Sequence, residues 1–142
     1  MLELLTVSLQ CRCEMFEDLK QFVSKKEPHC VELSLNDVSA EHQFTMNKEE
    51  VSLVLTSPIY QSQNRICLRY KNISEGVNYA NTQILALKFY GCNIGLKIFD
   101  SVYTRWHDAK DYPGFLYMGY PGEWVFNFKP PVAKNFVGIC FG

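Results

Sequence analysis

The sequence predicts a β-rich α+β fold, an antiparallel two-sheet sandwich or a curled, barrel-like sheet, with one N-terminal α-helix. From residue 29 onward, apolar and polar residues alternate with a period of two, which is typical of an antiparallel sheet with one solvated face. Turn signals recur about every eight to twelve residues, as in sandwiches. The chain has 142 residues, of which 47% are hydrophobic and 20% charged. This length and composition predict a single globular domain over residues 1–142.

The first strand and the helix are predicted from a change of period. Residues 2–10 alternate apolar and polar side chains and predict a strand. Over residues 14–25 the apolar side chains instead recur at helical spacing, and Pro28 ends the segment. The side chains of this helical face are Met15, Leu19, Phe22 and Val23.

The central part of the chain predicts further strands. Period-two alternation recurs in four runs, at residues 31–36, 43–47, 51–55 and 65–71. Residues 57–64 are polar with one proline and predict a loop.

A hairpin and a last strand are predicted in the second half. Residues 84–90 and 94–99 flank Gly91-Cys92-Asn93, a short glycine-containing connection that favours a hairpin with a bulge. Residues 100–111 fit either one to two helical turns or an irregular loop. Residues 136–141 form an apolar run that predicts the final strand.

The six cysteines are dispersed, and most lie within apolar runs. The N-terminus lacks the basic region of an export signal, so we expect a cytoplasmic protein with reduced, buried thiols. Cys11 and Cys13, with His29 and Cys30, are the only grouping that resembles a metal site, but the C-x-x-C spacing of zinc sites is absent. The sequence therefore predicts no metal and no other cofactor.

The charge distribution argues against two classes of partner. The net charge is −1, and the basic residues do not cluster, so we expect no nucleic-acid partner. No apolar run approaches the roughly 18 residues that a membrane-spanning helix needs, so we expect no membrane association.

The segment 103–128 concentrates aromatic side chains. It contains both tryptophans and nine aromatic residues in all, where the chain average of 14% would give about four. Two triplets, Tyr112-Pro113-Gly114 and Tyr120-Pro121-Gly122, match the Pro-Gly pattern of type II turns. They frame a short apolar run that predicts a strand, and a second strand is predicted at residues 123–128.

The aromatic residues of this segment divide into two groups. Trp124, Phe126 and Phe128 alternate with polar positions on one strand, so we expect them in the core. Residues 115–118 are apolar on both strand faces. Such a strand is either central in a sandwich, or covers the core with one face and offers the other to a ligand or a second subunit, which would give a homodimer.

The aromatic and titratable residues next to the turns are the predicted binding site. They are Trp106, His107, Asp108, Tyr112, Tyr117 and Tyr120. Tyrosine and tryptophan are rigid and amphipathic, which suits a partner protein or a small apolar or sugar-like ligand equally well. The predicted function is therefore non-enzymatic binding, as in a small cytoplasmic inhibitor or immunity-type protein.

The alternative function is a small enzyme with its active site in an aromatic-lined cavity. It would use His107, Asp108 or a cysteine, because catalysis of this kind needs an acid–base pair or an activated nucleophile. The sequence contains no known catalytic motif, so it identifies no catalytic residue.

Overall fold

A computed structural model of the chain describes residues 3–15, 30–44, 48–71 and 80–136, and these residues form two antiparallel sheets. The first sheet has the order β10-β6-β1-β4, with β7 paired to β6. Its strands are β1 (Glu3–Met15), β4 (Lys48–Ile59), β6 (Ala80–Phe89), β7 (Cys92–Asn93) and β10 (Tyr117–Met118). The second sheet has the order β3-β2-β5-β11-β8-β9. Its strands are β2 (Cys30–Leu35), β3 (Val38–Gln43), β5 (Asn64–Lys71), β8 (Val102–Arg105), β9 (Asp111–Pro113) and β11 (Gly122–Phe128).

The two sheets pack face to face around one hydrophobic core. Leu5 and Leu9 of β1 and Leu33 of β2 are fully buried in the same cluster. The rings of Phe89 on β6 and Phe126 on β11 meet edge to face, with their centroids 6.2 Å apart. The prediction of an antiparallel β-sandwich is therefore confirmed, and the alternation of apolar and polar residues produced it, since strands such as β1 and β11 bury every second side chain.

The predicted N-terminal helix is not shown. Strand β1 continues to Met15, so Glu14 and Met15 belong to a strand. Glu14 pairs with Lys48 of β4, and their side chains are 4.0 Å apart. The rest of the predicted helix, residues 16–25, lies outside the described residues. Pairing of β1 with strands on both of its sides thus overrides the helical spacing of the first two residues of the predicted helix.

The helices of the described residues lie in the second half of the chain and are short. A 3-10 helix spans Gly95–Asp100, and an α-helix, α1, spans Val132–Asn135. The first replaces the strand predicted at 94–99. The side chain of Asn93 accepts a hydrogen bond from the Gly95 N–H at 2.8 Å, and Gly95 has φ of 63°, so the chain leaves the sheet after β7. None of the described helices has the length and apolarity to cross a bilayer.

Several predicted boundaries differ from the structure. The hairpin turn between β6 and β7 is Tyr90-Gly91, with φ of 53° and 80°, so it is tighter than predicted. Residue 100 ends the 3-10 helix, and residues 101–111 contain β8 and the start of β9 with a short turn between them, where helical turns or an irregular loop were predicted. The predicted loop 57–64 is shorter, since β4 extends to Ile59. Residues 45–47 and 137–141, where strand residues were predicted, lie outside the described residues.

Four of the five cysteines in the described part, Cys11, Cys13, Cys30 and Cys67, are buried free thiols. Burial raises the pKa of the Cys11 and Cys13 thiols to about 12. Both face the core from β1, where the interior disfavours a thiolate. Cys140 lies outside the described residues.

The outer face of the second sheet carries ion pairs. Arg65 and Glu123 are 3.5 Å apart, and Arg69 lies 3.5 Å from Glu32 and 3.7 Å from Glu123. Each of these basic side chains thus has an acidic neighbour on the adjacent strand.

Candidate functional site

The first Tyr-Pro-Gly triplet forms the predicted turn. The N–H of Phe115 donates to the carbonyl oxygen of Tyr112 at 3.4 Å, and Gly114 has φ of 76°. The N–H of Gly114 also donates to the carbonyl oxygen of Ser101 at 2.8 Å. A left-handed residue is required at the third turn position, which explains the glycine. The turn carries the chain from β9, in the second sheet, toward β10, in the first.

The second triplet is not a type II turn, contrary to the prediction. Gly122 is buried, begins β11 and lacks a positive φ. A Cβ added there would lie 2.3 Å from the carbonyl oxygen of Thr104 and 3.2 Å from the Cα of Arg105. The glycine is therefore needed because β11 and β8 approach closely, not because of its backbone conformation.

The strand after this bend contains the predicted core aromatics. Trp124 is 0% exposed, and its indole N–H donates to the Ser101 hydroxyl oxygen at 2.7 Å. Phe126 and Phe128 are buried as well. The prediction that these three side chains belong to the core is confirmed.

A cleft of about 200 Å³ lies between β9 and β10. Each of these strands is at the edge of its sheet. The cleft is open to solvent, since Phe115 is 52% and Tyr117 49% exposed. Leu116 and Met118, which alternate with them, pack against the core. The run 115–118 therefore covers the core with one face and presents aromatic rings with the other. The lining residues are Tyr103, Arg105, Tyr112, Phe115, Tyr117, Gly119 and Tyr120.

Tyr103 forms the buried floor of the cleft. Its hydroxyl donates to the carbonyl oxygen of Tyr120 at 2.6 Å and accepts from the Tyr120 N–H at 3.2 Å. Its ring stacks on Tyr112 at 6.0 Å, and Tyr112 contacts Phe115 at 5.2 Å. Burial raises the pKa of Tyr103 to about 12, so the hydroxyl stays protonated at neutral pH. The three rings form a continuous aromatic wall.

Arg105 is the charged residue that lines the cleft. Its guanidinium carbon lies 4.9 Å from the ring centroid of Tyr112 and 5.3 Å from that of Tyr120, within the range of cation–π contacts. Its Nε donates to Asp108 Oδ1 at 3.3 Å, and one Nη donates to Asp108 Oδ2. The backbone N–H of Lys110 also donates to Asp108 Oδ1, at 3.1 Å. These contacts fix the guanidinium in place.

The Arg105–Asp108 pair shifts the pKa of both groups. Burial alone would lower the pKa of Arg105, but the hydrogen bond and negative charge of Asp108 outweigh it and raise the pKa. Burial alone would raise the pKa of Asp108, but the hydrogen bonds from Lys110 and Arg105 lower it. Both groups are therefore charged at neutral pH, and Asp108 is a weak base because its carboxylate is already engaged.

The structure brings together some of the predicted site residues. Tyr112, Tyr117 and Tyr120 line the cleft. The ring of His107 lies 4.9 Å from that of Tyr120, and its Nε2 is 3.7 Å from Asp108. Asp108 lies behind Arg105 and does not line the cleft. Trp106 is 45% exposed and also lies outside the lining.

Four lining residues were missing from the prediction, namely Tyr103, Arg105, Phe115 and Gly119. Tyr103 and Arg105 alternate with Val102 and Thr104 on β8, so a strand pattern across residues 102–105 was the available signal. Phe115 lies on the same strand face as Tyr117, which is a predicted binding-site residue, so this shared face was the signal for Phe115. For Gly119 the sequence offers no signal.

The described ranges contain no group of three or more His, Cys, Asp or Glu side chains placed to hold a metal ion. None of the five described cysteines lines the cleft. What the cleft offers is aromatic surface, tyrosine hydroxyls and a fixed guanidinium.

No protein-family model matches the chain, and no curated protein matches it in sequence. Two solved structures share its fold. One is vCBM60 in complex with galactobiose, with a TM-score of 0.52 and 12% identity over 87% of this chain and 99% of that one. The other is the selenomethionine form of vCBM60, described in connection with a circular permutation that links two families of calcium-dependent carbohydrate binding modules. It has a TM-score of 0.52 and 13% identity over 86% of this chain and 89% of that one. The similarity in fold supports the two-sheet architecture.

Proposed function

We propose that this protein is a non-enzymatic carbohydrate-binding protein and that the cleft between β9 and β10 is its binding site. The observation that carries the proposal is an open cleft lined by aromatic rings beside a fixed guanidinium. Tyr117 and Phe115 present about half of their surface to solvent, and they line the same cleft, so they form the kind of contiguous apolar patch that marks binding sites. Arg105 lies over the rings of Tyr112 and Tyr120 in the same cleft.

Aromatic surface next to hydrogen-bond donors matches the chemistry of a sugar. One face of a pyranose ring consists of C–H groups and stacks on a tyrosine or phenylalanine ring, while its hydroxyls need donors and acceptors at the edge. The Arg105 guanidinium and the tyrosine hydroxyls supply these polar contacts. A volume of about 200 Å³ is below the range of roughly 300–1,000 Å³ typical for drug-sized ligands. The cleft therefore suits one ring of a longer saccharide.

The similarity in fold supports the proposal independently of the cleft. Both structures of similar fold are carbohydrate-binding modules, and one of them is in complex with galactobiose. Because the sequence identity is 12–13%, the similarity supports carbohydrate as the class of ligand and does not support a particular sugar.

The calcium dependence described for those modules does not fit the cleft of this chain. Calcium takes about six to eight oxygen ligands, several of them carboxylates. Near the cleft, Asp108 is engaged by Arg105 and Lys110, and Asp111 accepts a hydrogen bond from the Thr104 hydroxyl at 2.7 Å. Thr104 alternates with Tyr103 and Arg105 on β8, so Asp111 faces away from the cleft.

The test is a screen of the full chain on an array of oligosaccharides, followed by titration calorimetry with the strongest binder. We expect Tyr117→Ala to weaken binding by about 1–2 kcal/mol, because the few contact residues that carry most of the binding energy are enriched in tyrosine. Tyr60→Ala is the matched control, because Tyr60 is 46% exposed, close to the 49% of Tyr117, and does not line the cleft. If no saccharide binds, or if both variants bind like the wild type, the proposal is wrong. A protein partner, a homodimer and a cytoplasmic location stay predictions from the sequence.

A further inference from the structure

The two edges of the Arg105 guanidinium have different surroundings. Arginine has five N–H donors in a planar fork. Nε and one Nη of Arg105 bind Asp108. Within the described ranges no residue accepts a hydrogen bond from the other Nη, although Arg105 lines the cleft. One edge of the guanidinium is thus held by the protein, and the other is available to a ligand.

The contacts that hold Arg105 also preorganise it. The rings of Tyr112 and Tyr120 lie 4.9 and 5.3 Å from the guanidinium carbon. Asp108, which fixes the plane of the guanidinium, is itself held by the Lys110 N–H at 3.1 Å. A donor that is already fixed loses little conformational entropy when a ligand binds. The available edge is therefore suited to recognise hydroxyl oxygens at defined positions.

The same arrangement makes the cleft unfavourable for a divalent cation. Arg105 is the charged side chain among the lining residues, and it would repel a second cation. Asp108 already neutralises that positive charge, and binding a metal would require breaking a charge-assisted pair. Asp111 is bound to Thr104 on the opposite face of the β8–β9 hairpin.

We propose that the cleft binds saccharide without calcium and that the available edge of Arg105 is its fixed hydrogen-bond donor to the sugar hydroxyls. The inference rests on the proposed carbohydrate-binding function. It differs from the calcium-dependent binding described for the modules of similar fold.

The first experiment separates the metal question from binding itself. Galactobiose and an array of neutral oligosaccharides are tested against the full chain in excess EDTA and in excess calcium chloride. Thermal unfolding is measured with calcium alone. We expect equal binding in both buffers and an unchanged Tm, since a ligand that binds only the folded state would raise the Tm. Binding that requires calcium overturns this inference but leaves carbohydrate binding intact. Failure to bind in both buffers overturns both proposals.

The second experiment tests the role of Arg105. Arg105→Lys keeps the positive charge but removes the planar fork, so we expect affinity in EDTA to fall about tenfold or more. Arg65→Lys is the matched control, because Arg65 forms its ion pair on the outer face of the second sheet. This variant should bind saccharide like the wild type. Asp108→Asn removes the charge that orients Arg105 and should weaken binding several-fold, which provides a second variant if Arg105→Lys does not fold. Wild-type affinity in Arg105→Lys would refute the assignment.

Discussion

The hydroxyl of Tyr103 is bonded to both backbone groups of Tyr120, donating to its carbonyl oxygen at 2.6 Å and accepting from its N–H at 3.2 Å. One buried side chain thus ties strand β8 to the bend between β10 and β11. This bend positions the Tyr120 ring, which contacts both Arg105 and His107. The shape of the cleft therefore depends on a hydroxyl group that contacts the backbone.

Tyr103→Phe should destabilise the protein and weaken binding together. The change keeps the ring but leaves the Tyr120 N–H and carbonyl group without their partner, which should cost about 1–3 kcal/mol of unfolding free energy. Chemical denaturation measures the loss of stability and calorimetry the loss of affinity. Tyr60→Phe, at an exposed tyrosine, is the control and should change neither quantity. Equal stability of Tyr103→Phe and wild type would contradict the role of this hydroxyl.

The two tryptophans should respond differently to truncation. Trp124→Ala removes a fully buried indole that also bonds to Ser101, so it should cost about 3–5 kcal/mol or unfold the protein. Trp106→Ala removes a side chain that is 45% exposed and should cost much less. Melting temperatures of the two variants are the measurement. If the two losses are similar, Trp106 has a structural role that its exposure does not indicate.

Gly122→Ala should affect the cleft as well as the stability. The new Cβ would lie 2.3 Å from a backbone oxygen of β8, so β8 has to move, and Arg105 with it. We expect a loss of about 1–3 kcal/mol in stability, the usual cost of overpacking, together with weaker saccharide binding. Gly91→Ala is the control. It should lower stability because Gly91 has φ of 80°, but it should leave affinity unchanged because Gly91 lies in a turn remote from the cleft. Normal binding by folded Gly122→Ala would show that β8 adjusts without displacing Arg105.

The buried thiols should resist alkylation in the native protein. With a pKa of about 12, Cys11 and Cys13 are protonated at neutral pH, and only a thiolate is an effective nucleophile. Cys30 and Cys67 have a pKa raised to about 11 by burial, and Cys67 also by its hydrogen bond to Glu123. Cys92 is half-buried. After a brief exposure to iodoacetamide, mass spectrometry should therefore find more label on Cys92 than on any of these four cysteines. Denatured protein should take up label on all six cysteines of the chain. Rapid labelling of Cys11 in native protein would contradict its burial.

The features that local sequence determines were predictable. Strand alternation gave the antiparallel sandwich, and the spacing of Trp124, Phe126 and Phe128 placed them in the core. Tyr117 is exposed, as its position between a Pro-Gly turn and a strand end indicates. In each case the neighbours that decide the outcome lie within a few residues along the chain.

The features that distant contacts determine were not predictable. The role of Gly122 depends on how closely β8 approaches β11, which no local pattern encodes. Residues 102–105 and 111–113 form strands because they pair with β11 and with each other, whereas the composition of residues 100–111 fits either helical turns or an irregular loop. Arg105 was missed for the same reason, since only the β8–β9 hairpin brings it beside Tyr112. At Glu14 and Met15, pairing with strands far along the chain replaced a helical spacing.

Among the residues that the structure describes, those that line the cleft all come from one stretch of sequence, residues 103–120, whereas most of the core is built from other parts of the chain. Specificity and stability are therefore largely separate in the sequence. A library that varies Phe115 and Tyr117, which have little part in the core, would sample new ligands on an unchanged sandwich. The protein is thus a suitable scaffold for selecting binders, with Tyr103 and Gly122 kept constant.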